Sequence, residues 1–233
     1  MPMPHAPLLF LPGLLEDADV FEHQILGLAE AATSRAAELT RSDTIAGLAE
    51  DALAQAPAER FALAGHSMGG YVALEILRRA PQRIDRLALL NTHARPDSAE
   101  STANRRRLMA MAETDFPAVM AELAPRLVAP RHAGEVGLVG KMSEMALATG
   151  KEAFLRQQRA IIGRIDSRPH LGAIRCPTLV VAGREDAIMP VAWLEELAHG
   201  IPGARIEVIE ECGHMSPLEQ PAKLNALLGE WLR

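Results

Sequence analysis

The chain has 233 residues, 48% of them hydrophobic and 23% charged, with a formal net charge of −6 at pH 7. That length and apolar content suffice to bury a sizeable core as one domain and exclude a disordered chain. The acidic balance leaves no basic footprint, so no nucleic-acid partner is expected, and the one basic run, Arg105 to Arg107, reads as a solvated helix face.

The elements follow in chain order. "APLLFL" (6–11) is an aliphatic run that reads as a buried strand. "DADVFEHQILGLAEA" has helical spacing, and "TSRAAEL" (33–39) is a weaker strand. "DTIAGLAEDALAQA" is a helix with Ser42 or Asp43 as its cap. "RFALAG" (60–65) is a strand, "MGGYVALEILRRA" a helix ended by Pro81, and "IDRLALLN" (84–91) a strand. "PTLVVAG" (177–183) and "ARIEVIE" (204–210) are two more strands, with helical patterns between them and at the C-terminus. Strands buried on both faces read as continuous apolar runs, and intervening helices supply the crossovers of a parallel sheet. The fold class is therefore α/β, a mostly parallel sheet of about six strands flanked by helices.

One stretch breaks the alternation. Residues 98–168 contain only helix-like patterns, so a helical cap is expected there, inserted into a core made of residues 1–97 and 169–233. An insertion between two strands most easily covers their C-terminal edge, where open α/β sheets bind ligands. The Met residues of this stretch (109, 111, 120, 142 and 145) either line a substrate pocket or only pack its helices together.

No targeting or membrane segment is recognised. The first Lys or Arg is Arg35, and "LLFLPGLL" is short and interrupted by Pro12 and Gly13. Cys176 and Cys212 form no metal-type spacing and read as buried thiols of a cytoplasmic protein. No GxGxxG follows the first strand, so no dinucleotide site is expected.

The chemistry-bearing motif is "GHSMGG", in which Gly65 and Gly69 flank Ser67 two residues away on either side. Three fixed positions of this kind recur by chance about 0.1 times in such a chain, so context decides. The motif follows a strand and opens a helix, the setting of a nucleophile elbow, where β-carbons at the flanking positions would clash. A serine hydroxyl needs a base. His214 follows the last strand in a short loop, with Ser216, Pro217 and Glu219 forming a helix start and capping box behind it. His66 should point away from the elbow tip and be structural, while His93 is a pocket-lining residue rather than the base. The carboxylate that holds the base is expected at Asp186, just past strand 177–183, with Asp97 as the competitor. The anion hole draws on the backbone N–H of Met68 at the helix N-terminus and of Leu14 in "LPGLLED".

With these residues in place, the chain resembles the α/β-hydrolase superfamily, its small-esterase and enol-lactonase branch in particular. The resemblance runs through "LFLPGLLEDADVFEHQ", "LAGHSMGGYVAL", "PTLVVAGREDAIMP" and "CGHMSPLEQP". It implies Ser67 as nucleophile, Asp186 as acid, His214 as base, Leu14 and Met68 as oxyanion amides, an acyl-serine intermediate, and no metal or organic cofactor. Two departures stand out. Pro12-Gly13 replaces the family's usual His-Gly, and the usual extra pair of leading strands has no counterpart, so the sheet should start at the first parallel strand with its edge otherwise covered.

The expected partner is a small, partly apolar ester or lactone, with no membrane partner; the sequence leaves the oligomeric state open, a homodimer being one option. A C–C bond hydrolase or lyase acting on a carboxylate-bearing substrate is the alternative, with Arg95, Arg159 or Arg164 facing the pocket. A non-catalytic ligand-binding module is the third reading.

Overall fold

The structure, a computed structural model, describes residues 5–233; residues 1–4, the start of the first expected core segment, lie outside the described residues. Six segments form strands: β1 (Ala6–Leu11), β2 (Ala32–Ala36), β3 (Phe61–His66), β4 (Ile84–Leu90), β5 (Thr178–Gly183) and β6 (Arg205–Ile209). They make one sheet in the order β2-β1-β3-β4-β5-β6, and every neighbouring pair is parallel. The central strands β3 and β5 are buried at every residue, which explains their unbroken apolar sequences.

The helices are α1 (Glu22–Gly27), α2 (Ile45–Ala54), α3 (Met68–Arg79), α4 (Ala99–Thr114), α5 (Phe116–Leu127), α6 (Val136–Thr149), α7 (Lys151–Ile162), α8 (Arg168–Leu171), α9 (Val191–Gly200), α10 (Ser216–Glu219) and α11 (Pro221–Trp231). Strand alternation sends Leu9, Leu11, Leu63, Leu89 and Val180 to one face, where α2, α3 and α9 pack. Leu8, Phe10, Ala64, Leu90 and Val181 point to the other, where α11 packs together with residues of α4 to α7. The four helices α4 to α7 lie between β4 and β5 in the chain.

The chain turns in opposite senses after β1 and β3, although these strands are neighbours. The segment after β1 packs on one face through Val20 and Phe21, and α3 packs on the other through Val72 and Ile76. Such a divergence opens a crevice at the C-terminal ends of the two strands.

Several local expectations need correction. The sheet does not begin at β1: β2 lies outside it as the edge strand, and its exposed Thr33 and Arg35 blunt that edge. The segment expected as one helix after β1 is a 3-10 turn (Ala18–Phe21) followed by the short α1. The cap of α2 is Thr44, whose side chain accepts the Gly47 N–H, so neither Ser42 nor Asp43 fills that place. Ser42 instead donates to Asp51.

Candidate active site

Ser67 sits between β3 and α3 with φ 51° and ψ −116°, a left-handed conformation that a non-glycine residue rarely adopts. Its surroundings enforce it. A β-carbon at Gly69 would lie 2.0 Å from the carbonyl oxygen of Leu11, and one at Gly65 would lie 2.4 Å from that of Gly69. Only hydrogen at both positions lets β1, β3 and α3 approach so closely.

The loop after β6 brings His214 to this turn. Its Nε2 lies 2.9 Å from Ser67 Oγ, and its Nδ1 lies 2.8 Å from Asp186 Oδ2. The imidazole thus carries its proton on Nδ1 and turns a lone pair toward the hydroxyl. Asp186 is fully provided with donors. Its other oxygen accepts the N–H groups of Ile188 and Met189 at 2.9 Å each, and Oδ2 also accepts from Asn91 Nδ2 at 2.9 Å. Burial alone would raise the Asp186 carboxyl, but His214, Asn91 and the backbone donors outweigh it and hold the pKa below the ordinary value. Asp97 is elsewhere: it accepts from Thr102, Arg105 and Arg164 and has no contact with His214.

Three polar residues organise these loops: Asn91 and Glu16, missed in the sequence, and Glu219, whose role there is wider than expected. Asn91, at φ 47°, ties Asp186 to the Gly213 carbonyl and accepts the Ser216 hydroxyl at 2.6 Å. Ser216 is therefore not the cap of α10; that place belongs to Met215. Glu219, expected as a capping-box partner, accepts the N–H groups of Met215, Gly213 and Ala129 together. Because Leu127 accepts the N–H groups of both His214 and Met215, the His214 loop is bound to the end of α5 as well.

Glu16 is the third. It accepts the Gly13 N–H at 2.5 Å and faces His66 Nδ1 at 2.9 Å, while His66 Nε2 lies 2.8 Å from the His214 carbonyl oxygen. A carbonyl only accepts, so His66 Nε2 carries a proton, and with Nδ1 against a carboxylate the ring is an imidazolium. Burial opposes that charge, yet Glu16 and the carbonyl raise the His66 pKa above its ordinary value. One buried bridge thus joins the Gly13 turn, the elbow and the His214 loop, which gives His66 the structural role expected of it. A compact Asn, Glu or Ser near a strand end is the only sequence trace of such anchors.

The N–H of Met68 opens α3 and has no intrahelical acceptor. The N–H of Leu14 finds no acceptor among the described residues, whereas the flanking Gly13 and Leu15 amides are taken by Glu16 and Gln157. Glu16 thus braces the Pro12-Gly13 turn. Leu14 and Ser67 both line a cavity of about 240 Å³ together with His214. Its wall from the inserted helices includes Leu108, Met120, Met142 and Met145. Met109 and Met111 pack into the core and do not line it.

His93 does not line this cavity. Its Nδ1 accepts the Arg95 N–H and its Nε2 meets the Tyr71 hydroxyl, so the geometry demands a neutral ring. Burial first, then Arg164, Arg95 and Arg105, push its pKa down to about 3. The arginines expected to face the substrate also lie elsewhere. Arg95 pairs with Glu196, Arg164 pairs with Asp97, and Arg159 is exposed. Arg105, read as part of a solvated face, does line the cavity and pairs with Asp97. Among the described residues, no group of three or more His, Cys, Asp or Glu could hold a metal ion, and no helix is long and apolar enough to cross a membrane.

A parallel sheet with a strained serine at a strand-to-helix turn, an imidazole on its hydroxyl and a cavity above it defines an α/β enzyme of the hydrolytic class. Residues 8–227 match the alpha/beta hydrolase family, and the chain belongs to that family. It is similar to an esterase from Thermogutta terrifontis in a malate-bound form, at 30% identity and a TM-score of 0.89 over 98% of this chain and 89% of that one. The enol-lactonase from Burkholderia xenovorans LB400 follows at 27% identity and a TM-score of 0.87, over 98% and 92%. A protein of Variovorax paradoxus (strain S110), provisionally named carbamate hydrolase RutD, is 27% identical over 219 residues, 90% of this chain and 81% of that one. The chain is a hydrolase.

Proposed function

We propose that this hydrolase cleaves a carboxylic ester or lactone of a small, partly apolar molecule through an acyl-serine intermediate, with helices α4 to α7 as the cap over its substrate. The observation that carries this reading is the imidazole of His214 held 2.9 Å from the hydroxyl of the strained Ser67, at the floor of a largely apolar cavity.

In the first half-reaction the Ser67 proton passes to His214 Nε2 as Oγ attacks the carbonyl carbon. The oxyanion accepts from the N–H groups of Met68 and Leu14, which need no reorganisation to meet it. Asp186 stays ionised and stabilises the imidazolium. His214 then protonates the leaving alkoxide. In the second half-reaction a water gives its proton to His214, attacks the acyl carbon and releases the acid, and Ser67 recovers its proton.

The named relatives act, by their names, on an ester, an enol-lactone and a carbamate, all acyl compounds that this sequence of steps accommodates. A fluorophosphonate should label Ser67, and short p-nitrophenyl esters should be turned over by the wild type and not by Ser67→Ala. Failure of both in the wild type would sink the reading and leave a ligand-binding module.

Cleavage of a C–C bond in a carboxylate-bearing substrate is a second reading, supported by Arg105 in the cavity wall. Substantial turnover of a C–C substrate by Ser67→Ala would favour it, because proton transfer could then proceed without an acyl-enzyme.

A further inference from the structure

The cavity wall built by α4 and α7 contains an imbalance of charge and an idle donor. Asp97, with its side chain 1% exposed, faces two guanidiniums, Arg105 at 3.2 Å and Arg164 at 2.8 Å. One carboxylate against two cations leaves a surplus positive charge in a buried place, which is costly without a further anion. Arg164 donates from Nε to the Arg95 carbonyl and from Nη1 to Asp97 and the Ile161 carbonyl, and its guanidinium covers the Tyr71 ring. Arg105 is the partner that reaches the cavity.

Arg105 Nη1 donates to Gln158 Oε1 at 3.0 Å. A guanidinium has no acceptor, so this contact fixes which end of the Gln158 amide faces it. The NH₂ end is left over. Gln158 is 0% exposed, its Nε2 has no hydrogen-bond partner, and the residue lines the same cavity as Ser67. A buried amide donor without an acceptor is destabilising. Leu108 and Met142 in the same lining have no acceptor to offer it, and none of the polar lining residues, Ser101 and Asn104 among them, accepts from it.

We propose that Arg105 and Gln158 form a carboxylate-binding subsite, and that the substrate is an ester or lactone carrying a second, free carboxylate, as in a monoester of a dicarboxylic acid. This rests on the esterase reading above and narrows its substrate class. A carboxylate suits the site because it is an anion whose two oxygens can accept from two donors at once, one guanidinium N–H and one amide N–H. Its single charge also equals the surplus on the Asp97, Arg105 and Arg164 cluster. Glu16, the carboxylate in the same lining, is already matched by His66 and the Gly13 amide.

Two measurements test the subsite separately from the catalytic reading. Binding of monomethyl glutarate and methyl butyrate to Ser67→Ala, followed by isothermal titration calorimetry, reads it without turnover. Monomethyl glutarate should bind at least tenfold more tightly than methyl butyrate, and adding Gln158→Met should remove at least fivefold of that margin. Equal affinities in the Ser67→Ala protein overturn the proposal. In turnover by the wild type, the mono-p-nitrophenyl ester of glutarate should exceed p-nitrophenyl butyrate in kcat/KM at least tenfold, and Gln158→Glu should invert the order. If neutral esters are cleaved and Ser67 is labelled but the charged ester has no advantage, the subsite is wrong and the esterase reading stands. If no ester is cleaved and monomethyl glutarate still binds preferentially, the reverse holds.

Discussion

The C-terminal edge of the sheet and the helices inserted between β4 and β5 face each other across one cavity, yet they are built differently. At the sheet edge almost every polar atom is committed. Asp186 accepts from His214, Asn91, Ile188 and Met189, and the His214 loop is held by Glu219, Asn91 and Leu127. The inserted helices present thioether and leucine side chains, which adapt to shape, beside a few polar groups, of which Gln158 keeps a buried donor without a partner. A reacting centre tolerates little displacement, so its supports are redundant. In the function proposed, the helical wall selects among ligands, and its unpaired donor is where that selection would act.

The contrast breaks most visibly at Asp186. Asp186→Asn should lower kcat by about 10⁴-fold with little change in KM, because the imidazolium loses its counter-charge and the required tautomer loses its anchor. Asp97→Asn should leave kcat within about tenfold of wild type while lowering stability by about 3 kcal/mol, since two cations lose their carboxylate. Steady-state kinetics beside chemical denaturation separates the two, and a crippled Asp97→Asn enzyme would reverse the assignment of the acid.

A smaller effect concerns the bridge below the elbow. Glu16→Gln should cost about 2 kcal/mol of stability at pH 6 by unpairing the buried His66 imidazolium. The His66 pKa in the folded state lies above the ordinary 6.5. Its ionic contribution is therefore fully present below pH 6.5 and is lost as pH rises through the folded value. The difference in Tm between wild type and Glu16→Gln should shrink between pH 6 and pH 9, and a constant difference would contradict an imidazolium at His66.

The smallest change belongs to the adaptable wall. Met142→Ala, at a residue 2% exposed that lines the cavity, should raise KM for p-nitrophenyl hexanoate by about threefold to tenfold and leave kcat within twofold. A large fall in kcat instead would mean that α6 helps to position the reacting groups.

Much of the sheet edge was legible before any coordinates. Its strands are unbroken apolar runs, and Ser67 is flanked by glycines whose absent β-carbons the neighbouring backbone requires. His214 and Asp186 each follow a strand directly, so parallel strands had to deliver them to one edge. The supports were not legible in the same way. Asn91 serves a residue 95 positions away, and Glu16 serves one 50 positions away. Ser216 has the form of a helix cap, but Asn91 offers its hydroxyl a better-placed buried acceptor. Arg105 reads as solvent-facing because helical periodicity does not say which side another helix will cover.

Sequence by itself determined the alternation of strands and helices, the strained turn at Ser67 and the delivery of three reactive side chains to one rim, since each follows from local backbone sterics and the two-sided burial of parallel strands. Tertiary structure alone decided which histidine is charged, which polar groups anchor the His214 loop and which arginines reach the cavity. Those outcomes depend on competition among distant donors and acceptors for a few buried partners, and that competition is settled only when the elements pack.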